Sequence, residues 1–206
     1  MRGSEVFKDD LERIKNIGLR DIIISVLDHY VNPINFEKPA SSTGKHHPPF
    51  ALGYGGLVRH TKAVVQLLTA IQETRPSLNW DCLYAAAILH DMWKYSTSSK
   101  WTVKDHAKRA ADNLAFVATT ISDPILKGDI NFIADIVKSH MGRFDDPEFD
   151  INADILPEEI VILHYADMIV SRSWYRVEGD LNDQKDNWIN NRTRSDIVLG
   201  PDSLIL

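Results

Sequence analysis

Apolar positions along this chain recur at helical rather than strand intervals. Near the N-terminus, "SEVFKDDLERIKNI" carries Val6, Leu11, Ile14 and Ile17 on such a spacing, and "LRDIIISVLDHYV" follows as a second short helix. Residues 57–74 place Leu57, Val64, Leu67, Leu68 and Ile71 on one stripe. Residues 80–93 are apolar almost all round, which predicts a buried central helix. "TVKD" then offers a start signal, with Thr102 and Asp105 expected as a capping box, for a helix running to about Thr120. Pro124 stands near the start of the next helix and Gly142 just past its end. "LPEEIVILHYADMIVSRSWYRVE" opens on Pro157 and two glutamates, which suit a first turn. The pattern predicts an all-α fold of about seven helices and no sheet.

Two stretches have no period. Residues 31–56, "VNPINFEKPASSTGKHHPPFALGYGG", hold four prolines and four glycines. A structureless stretch of that length in a small domain is usually functional or hides structure that the period does not show. The tail from Leu181 onward is polar until "DIVLGPDSLIL". It is expected to pack back on the body or to serve a partner, and its apolar end suggests contact between copies of the chain.

Composition narrows the classes. With 206 residues, 44% of them hydrophobic, the chain has enough material for one core. A formal net charge of −6 argues against a protein that coats nucleic acid, while leaving room for a narrow basic pocket. Cys82 is the single cysteine, so no disulfide framework exists and a reducing compartment is expected; the residue reads as packing. The N-terminus lacks the apolar core of a signal peptide, and no apolar run approaches the ~20 residues of a membrane span. A soluble, cytoplasmic protein without membrane contact is expected.

The polar residues on inward faces change the picture. "AAILHDMWK" sets His90 and Asp91 at the end of the most apolar segment, where an unpaired polar group costs about 1–3 kcal/mol. A His-Asp pair arises by chance in a chain this long, so only its position is informative. His60 lies on the stripe of Val64, Leu67 and Ile71, and His140 follows Ile133, Ile136 and Val137 at helical offsets. Asp167 shares a face with Ile160, Leu163 and Val170; His106 sits in a first turn; His164, three before Asp167, reads as a supporting or core histidine. Any one of these is more often a hydrogen-bonded core residue than a ligand. Several converging from separate helices are satisfied together by one or two shared divalent ions, as helix bundles build metal sites.

The order His60, His90–Asp91, His106, His140, Asp167 resembles the pattern H…HD…H…H…D of the HD-domain metal-dependent phosphohydrolase superfamily. "GGLVRHT" is similar to that family's first-histidine helix, "AAILHDMWK" to its "LLHDIGK" segment, "KSHMG" to its later histidine, and "ILHYADMI" to the helix of its final aspartate. "KHH" and "GYGGL" resemble in particular the HD domain of bacterial 3′–5′ exoribonucleases, and the likeness runs over about residues 46–172. It implies one helical bundle: N-terminal helices over 1–30 packed on the core, the 31–56 loop near the active site, a catalytic core over 57–178 and a C-terminal extension over 179–206. It also implies that His60, His90, Asp91 and Asp167 hold a first metal and His106 and His140 a second, with Asp91 bridging. Imidazoles with carboxylates suit Mn, Fe, Co, Ni or Zn better than Mg. The chain departs from the family in two places. Met92-Trp93 replaces the common Ile-Gly and is expected to crowd the pocket mouth; "SHMG" has one histidine where many members have two, so a weaker or absent second metal is expected. Nothing in the chain resembles the nucleic-acid-binding domain of those exoribonucleases.

By the same resemblance Asp91 and Lys94 are catalytic, Lys94 filling the lysine of "HDxxK" and reaching a phosphate oxygen. Arg143, Arg172 and His47 are candidate substrate contacts, and His46 is expected to be exposed. Arg59 points about 100° away from His60 on an ideal helix and reads as structural. Tyr54 and Trp93 read equally as base-stacking or packing residues. The function expected is a phosphohydrolase acting on a nucleotide or a similar small phosphoester through a metal-activated water. The alternative is a 3′–5′ exonuclease acting on RNA or single-stranded DNA. A non-catalytic module with a structural metal and a di-iron oxygenase are the remaining classes.

Overall fold

The computed structural model describes residues 2–44, 47–96, 101–144, 151 and 155–176. His46 and the 179–206 extension, with its apolar end, lie outside the described residues. Among these residues eight α-helical segments follow one another: α1 (Gly3–Val6), α2 (Lys8–Leu11), α3 (Ile17–His29), α4 (Gly56–Gln72), α5 (Trp80–Leu89), α6 (His106–Thr120), α7 (Pro124–Ser139) and α8 (Glu158–Val170). No strand occurs among the described residues, so the fold is all-α, a helical bundle.

The first expected helix breaks into α1, α2 and the start of α3. Asn16 ends the run because its side chain accepts the Leu19 amide and caps α3, which leaves Ile17 at the surface. The Asp81 carboxylate fixes this corner from α5, taking the amides of Lys15 and Asn16 at 2.6 and 2.8 Å. α5 is buried except at Asp81 and sits at the centre, touching α2, α3, α4, α7 and α8. It stops at Leu89 rather than running to 93, so His90 and Asp91 stand in the turn beyond its end. α6 pairs with α7, and α8 packs on α4 and α7.

The capping box expected at Thr102 and Asp105 does not form. The Thr102 hydroxyl meets Ser42 Oγ at 3.3 Å, the Asp105 carboxylate accepts Arg109 Nε at 2.9 Å, and α6 begins at His106.

The described residues of the 31–56 loop are held by polar contacts instead of by a hydrophobic period. They contain two short 3-10 turns, Pro33–Glu37 and Pro49–Ala51. Arg59, fully buried on α4, donates Nε to the Phe50 carbonyl (2.5 Å), Nη2 to Leu52 (2.7 Å) and Nη1 to Tyr54 (2.8 Å). The loop backbone closes on itself and on α4 through Ala40 N–H to Ala51 O (2.9 Å) and Leu57 N–H to Lys38 O (2.8 Å). Gly56 allows this approach, since a Cβ there would stand 2.3 Å from Ala51 O. Tyr95, just after the His90–Asp91 turn, ties the loop to that turn: its amide donates to Asn35 Oδ1 and its hydroxyl to Pro39 O, both at 2.9 Å. Among the described residues no helix is long and apolar enough to cross a membrane.

Candidate metal centre

Three of the four histidines expected as ligands stand at helix ends. His90 follows α5, His140 follows α7, and His106 is the first residue of α6. Helix C-termini leave carbonyls short of donors, and His90 and His140 supply a donor there, while His106 donates to the turn before α6. His90 Nδ1 meets Ala87 O at 2.7 Å, His140 Nδ1 meets Val137 O at 2.6 Å, and His106 Nδ1 meets Val103 O at 3.1 Å. A carbonyl only accepts, so each Nδ1 carries the proton and each Nε2 is left with a bare lone pair. All three Nε2 atoms point to one place.

That place is Asp91, 1% exposed. Its Oδ1 lies 3.1 Å from His106 Nε2 and 3.7 Å from His140 Nε2; its Oδ2 lies 3.6 Å from His90 Nε2, 3.9 Å from His60 Nε2 and 2.5 Å from Lys94 Nζ. Asp167 closes the other side, with Oδ1 2.9 Å from His60 Nε2 and 3.9 Å from His90 Nε2. Three overlapping groups could each hold an ion: His60–His90–Asp91, His90–His140–Asp167 and Asp91–His106–His140. Within each, one ligand atom per residue lies within 4.8 Å of the others.

The donor set fits a cation. Asp91 Oδ1, His106 Nε2 and His140 Nε2 are buried and have no hydrogen-bond partner. Three acceptors facing one another in a desolvated space repel, and each such group costs about 1–3 kcal/mol if nothing satisfies it. Electrostatics point the same way. Burial alone would raise the Asp91 carboxyl, but Lys94 and His90, with His106 and His140 beside it, hold it well below the usual carboxylate range. Burial acts likewise on Asp167 and is outweighed by His60 and His90, so this carboxyl too is held far down. Burial pushes His90 down to about 4 against the pull of both aspartates. Burial would also lower His140, but Asp91 and Asp167 outweigh it and raise it. Two ionised carboxylates therefore sit beside an imidazole, His90, that burial keeps neutral.

A cavity of about 370 Å³ opens on this cluster, lined among others by His47, Lys94, His140, Asp167, Ser171 and Arg172. His47 reaches in from the 31–56 loop. Its ring centroid is 5.1 Å from that of His60, and its Nε2 is 3.3 Å from Ser171 Oγ, which in turn lies 3.3 Å from Asp167 Oδ1. Burial, then His60 and Lys94, push His47 down to about 3, so it is a neutral polar group.

The structure thus brings His60, His90, Asp91, His106, His140 and Asp167 together and sets Lys94, His47 and Arg172 on the adjoining cavity. Arg143 is exposed in the turn Gly142–Phe144 and is not among the cavity's lining residues. Met92 and Trp93 do not crowd the mouth: Met92 is buried in the core and Trp93 packs half-buried against it. Tyr54 is also outside the cavity, and its carbonyl serves Arg59. His164 donates Nδ1–H to the His140 carbonyl at 2.7 Å and packs on Gly142, which has a φ of +54° and where an added Cβ would stand 2.8 Å from His164 Cε1. It thereby fixes the backbone that carries His140. Ser171, Met141, Phe144 and Met168 line the cavity without having been expected there. The one sequence signal for any of them is that Ser171 lies four residues beyond Asp167 on the same helical face.

A profile of the HD domain matches residues 57–170. The chain is similar to proteins named 3′-5′ exoribonuclease YhaM. With that of Listeria welshimeri it is 26% identical over 165 residues, 76% of this chain and 49% of the relative. With that of Bacillus licheniformis it is 28% identical over 163 residues, 75% and 48% respectively, and with that of Bacillus subtilis 28% over 133 residues, 60% and 40%. The chain spans about half the length of the first two relatives. No solved structure matches it significantly.

Proposed function

Because the chain belongs to the HD-domain family, we propose that it is a metal-dependent phosphohydrolase that cleaves a phosphoester of a nucleotide or similar small substrate. The observation that carries this reading is the trio of Asp91 Oδ1, His106 Nε2 and His140 Nε2, buried together with no partner. His60, His90, Asp91 and Asp167 would hold one divalent ion; His106 and His140 would hold a second, with Asp91 offering an oxygen to each. When bound, such ions supply Lewis acidity that lowers the pKa of water from ~15.7 toward ~7. The nitrogen-rich set suits Mn, Fe, Co, Ni or Zn over Mg.

The chain's own side chains do the rest. Lys94 pairs with Asp91 Oδ2 while lining the cavity, so its ammonium is shared between the buried carboxylate and an incoming phosphate oxygen. Arg172 adds a cation at the cavity edge. His47, neutral and bound to Ser171, offers hydrogen bonding without competing for the phosphate's charge. Cys82 takes no part: burial and the nearby Asp129 push its thiol up, which keeps it protonated.

A second reading is a 3′–5′ exonuclease on RNA or single-stranded DNA. It draws on the printed name of the relatives, and the net charge of −6 weighs against an extended strand-binding surface on this chain. Both are tested by one panel with Mn²⁺: mononucleotides, nucleoside triphosphates and end-labelled single strands, each with wild type and Asp91→Ala. Phosphate or nucleoside release from the small substrates supports the first reading. A ladder of products from labelled strands supports the second. Ion binding without turnover overturns both, and dioxygen uptake would mark an oxygenase.

A further inference from the structure

The cavity carries an apolar surface that phosphate chemistry does not use. His140 is buried and Asp167 nearly so at its floor; Met141 and Met168 are half-buried; Phe144 is 75% exposed and Arg172 exposed at its edge. Along α8 and the turn after it, Asp167 and Ser171 form one stripe and Met168 and Arg172 the next. Apolar and cationic groups therefore alternate around one opening. A purely anionic ligand would satisfy Lys94 and Arg172 and leave Met141, Phe144 and Met168 wet. A ligand joining an anion to a flat apolar group uses all five. The volume, about 370 Å³, lies near the lower end of the ~300–1,000 Å³ typical of small-molecule sites, which is room for one nucleotide and not for several.

The geometry points to Met141, Phe144 and Met168 as a base-binding wall, with the nucleobase stacked on Phe144 and the phosphate on Lys94 and Arg172. The site then admits one base-bearing nucleotide unit at a time. This rests on the phosphohydrolase reading for its phosphate half, and thioether sulfurs and an aromatic face are favourable partners for any base, so little base selectivity is expected.

The test uses the Mn²⁺-loaded full chain and two hydrolysis-resistant phosphonates, one carrying adenosine and one the ribose alone, titrated by calorimetry. Wild type should bind the adenosine compound about 5- to 150-fold more tightly than its base-free counterpart, the range of a single aromatic–base stack. Phe144→Ala should erase most of that preference while leaving the base-free affinity unchanged, and Phe144→Tyr should restore it. Because Phe144 is largely exposed, both variants should keep the wild-type far-UV spectrum. Equal affinities in wild type, equal loss of both ligands in Phe144→Ala, or no binding of either overturns the wall. A wild type that shows the preference yet turns over no phosphoester overturns the hydrolase reading and leaves the wall standing.

Discussion

Lys94 folds back three residues to set its ammonium 2.5 Å from Asp91 Oδ2, the oxygen that also faces His60 and His90. The other oxygen is left to His106 and His140. One carboxylate thus serves two histidine pairs, while its lysine counter-ion lines the cavity. Lys94→Ala should lower kcat by about 10²- to 10³-fold, the usual effect of removing one charge-stabilising donor. Metal content, measured on the purified variant, should stay at the wild-type level.

Asp91→Ala removes the group common to both histidine pairs. Turnover should be lost and the ions released, with the helices intact by circular dichroism, because the side chain lies beyond the end of α5. His106→Ala acts on one side only. It should release the second ion while leaving the first, and metal analysis of the two variants side by side separates the two cases.

Arg59→Ala should destabilise the protein by about 3–5 kcal/mol, since three carbonyls of the 31–56 loop lose a charged donor at once. Urea unfolding gives the value. The loop carries His47, so ligand affinity should fall with stability, and limited proteolysis should begin within 31–56.

Chelated protein should be most stable near pH 6.5. His90 is held down to about 4 by burial, against about 6.5 unfolded. Between those values the unfolded chain binds more protons, so stability falls as pH drops from 6.5 toward 4. His140 is raised above its ordinary value by Asp91 and Asp167, which outweigh its burial, so its contribution is present below pH 6.5 and fades as pH rises above it. Urea unfolding in EDTA at pH 4.5, 6.5 and 8.5 should trace this hump, and His90→Asn should make its acid limb shallower, the part that remains coming from His47, which burial also holds down to about 3. Stability that rises on acidification from 6.5 to 4.5 would contradict the burial of a neutral His90.

The helical stripes made much of this arrangement legible. His60 with Val64, and Asp167 with Leu163, share faces that any 3.6-residue period fixes, so their inward direction could be read before any contact was seen. What lay off the helices could not be read that way. The end of α5 at Leu89 depends on the turn that His90 and Asp91 make, and Met92 turned into the core because that turn, not a helix, sets its direction. The 31–56 loop has no hydrophobic period because a single arginine gathers its carbonyls, and one buried guanidinium leaves no pattern in the letters. Met141 and Phe144 reach the cavity through the left-handed step at Gly142, a conformation that the sequence permits without announcing.

Three of the imidazoles take their orientation from carbonyls only three residues upstream in their own chain segment. Aim is therefore a local property. Fraying of the final turn of α5 or α7 would free those oxygens to water and let the rings swivel, so coordination would slacken while the rest of the bundle held. Occupancy of the proposed centre and amide exchange at those two helix tips should therefore be coupled in both directions, an ion seated there fastening the ends of the helices that present it.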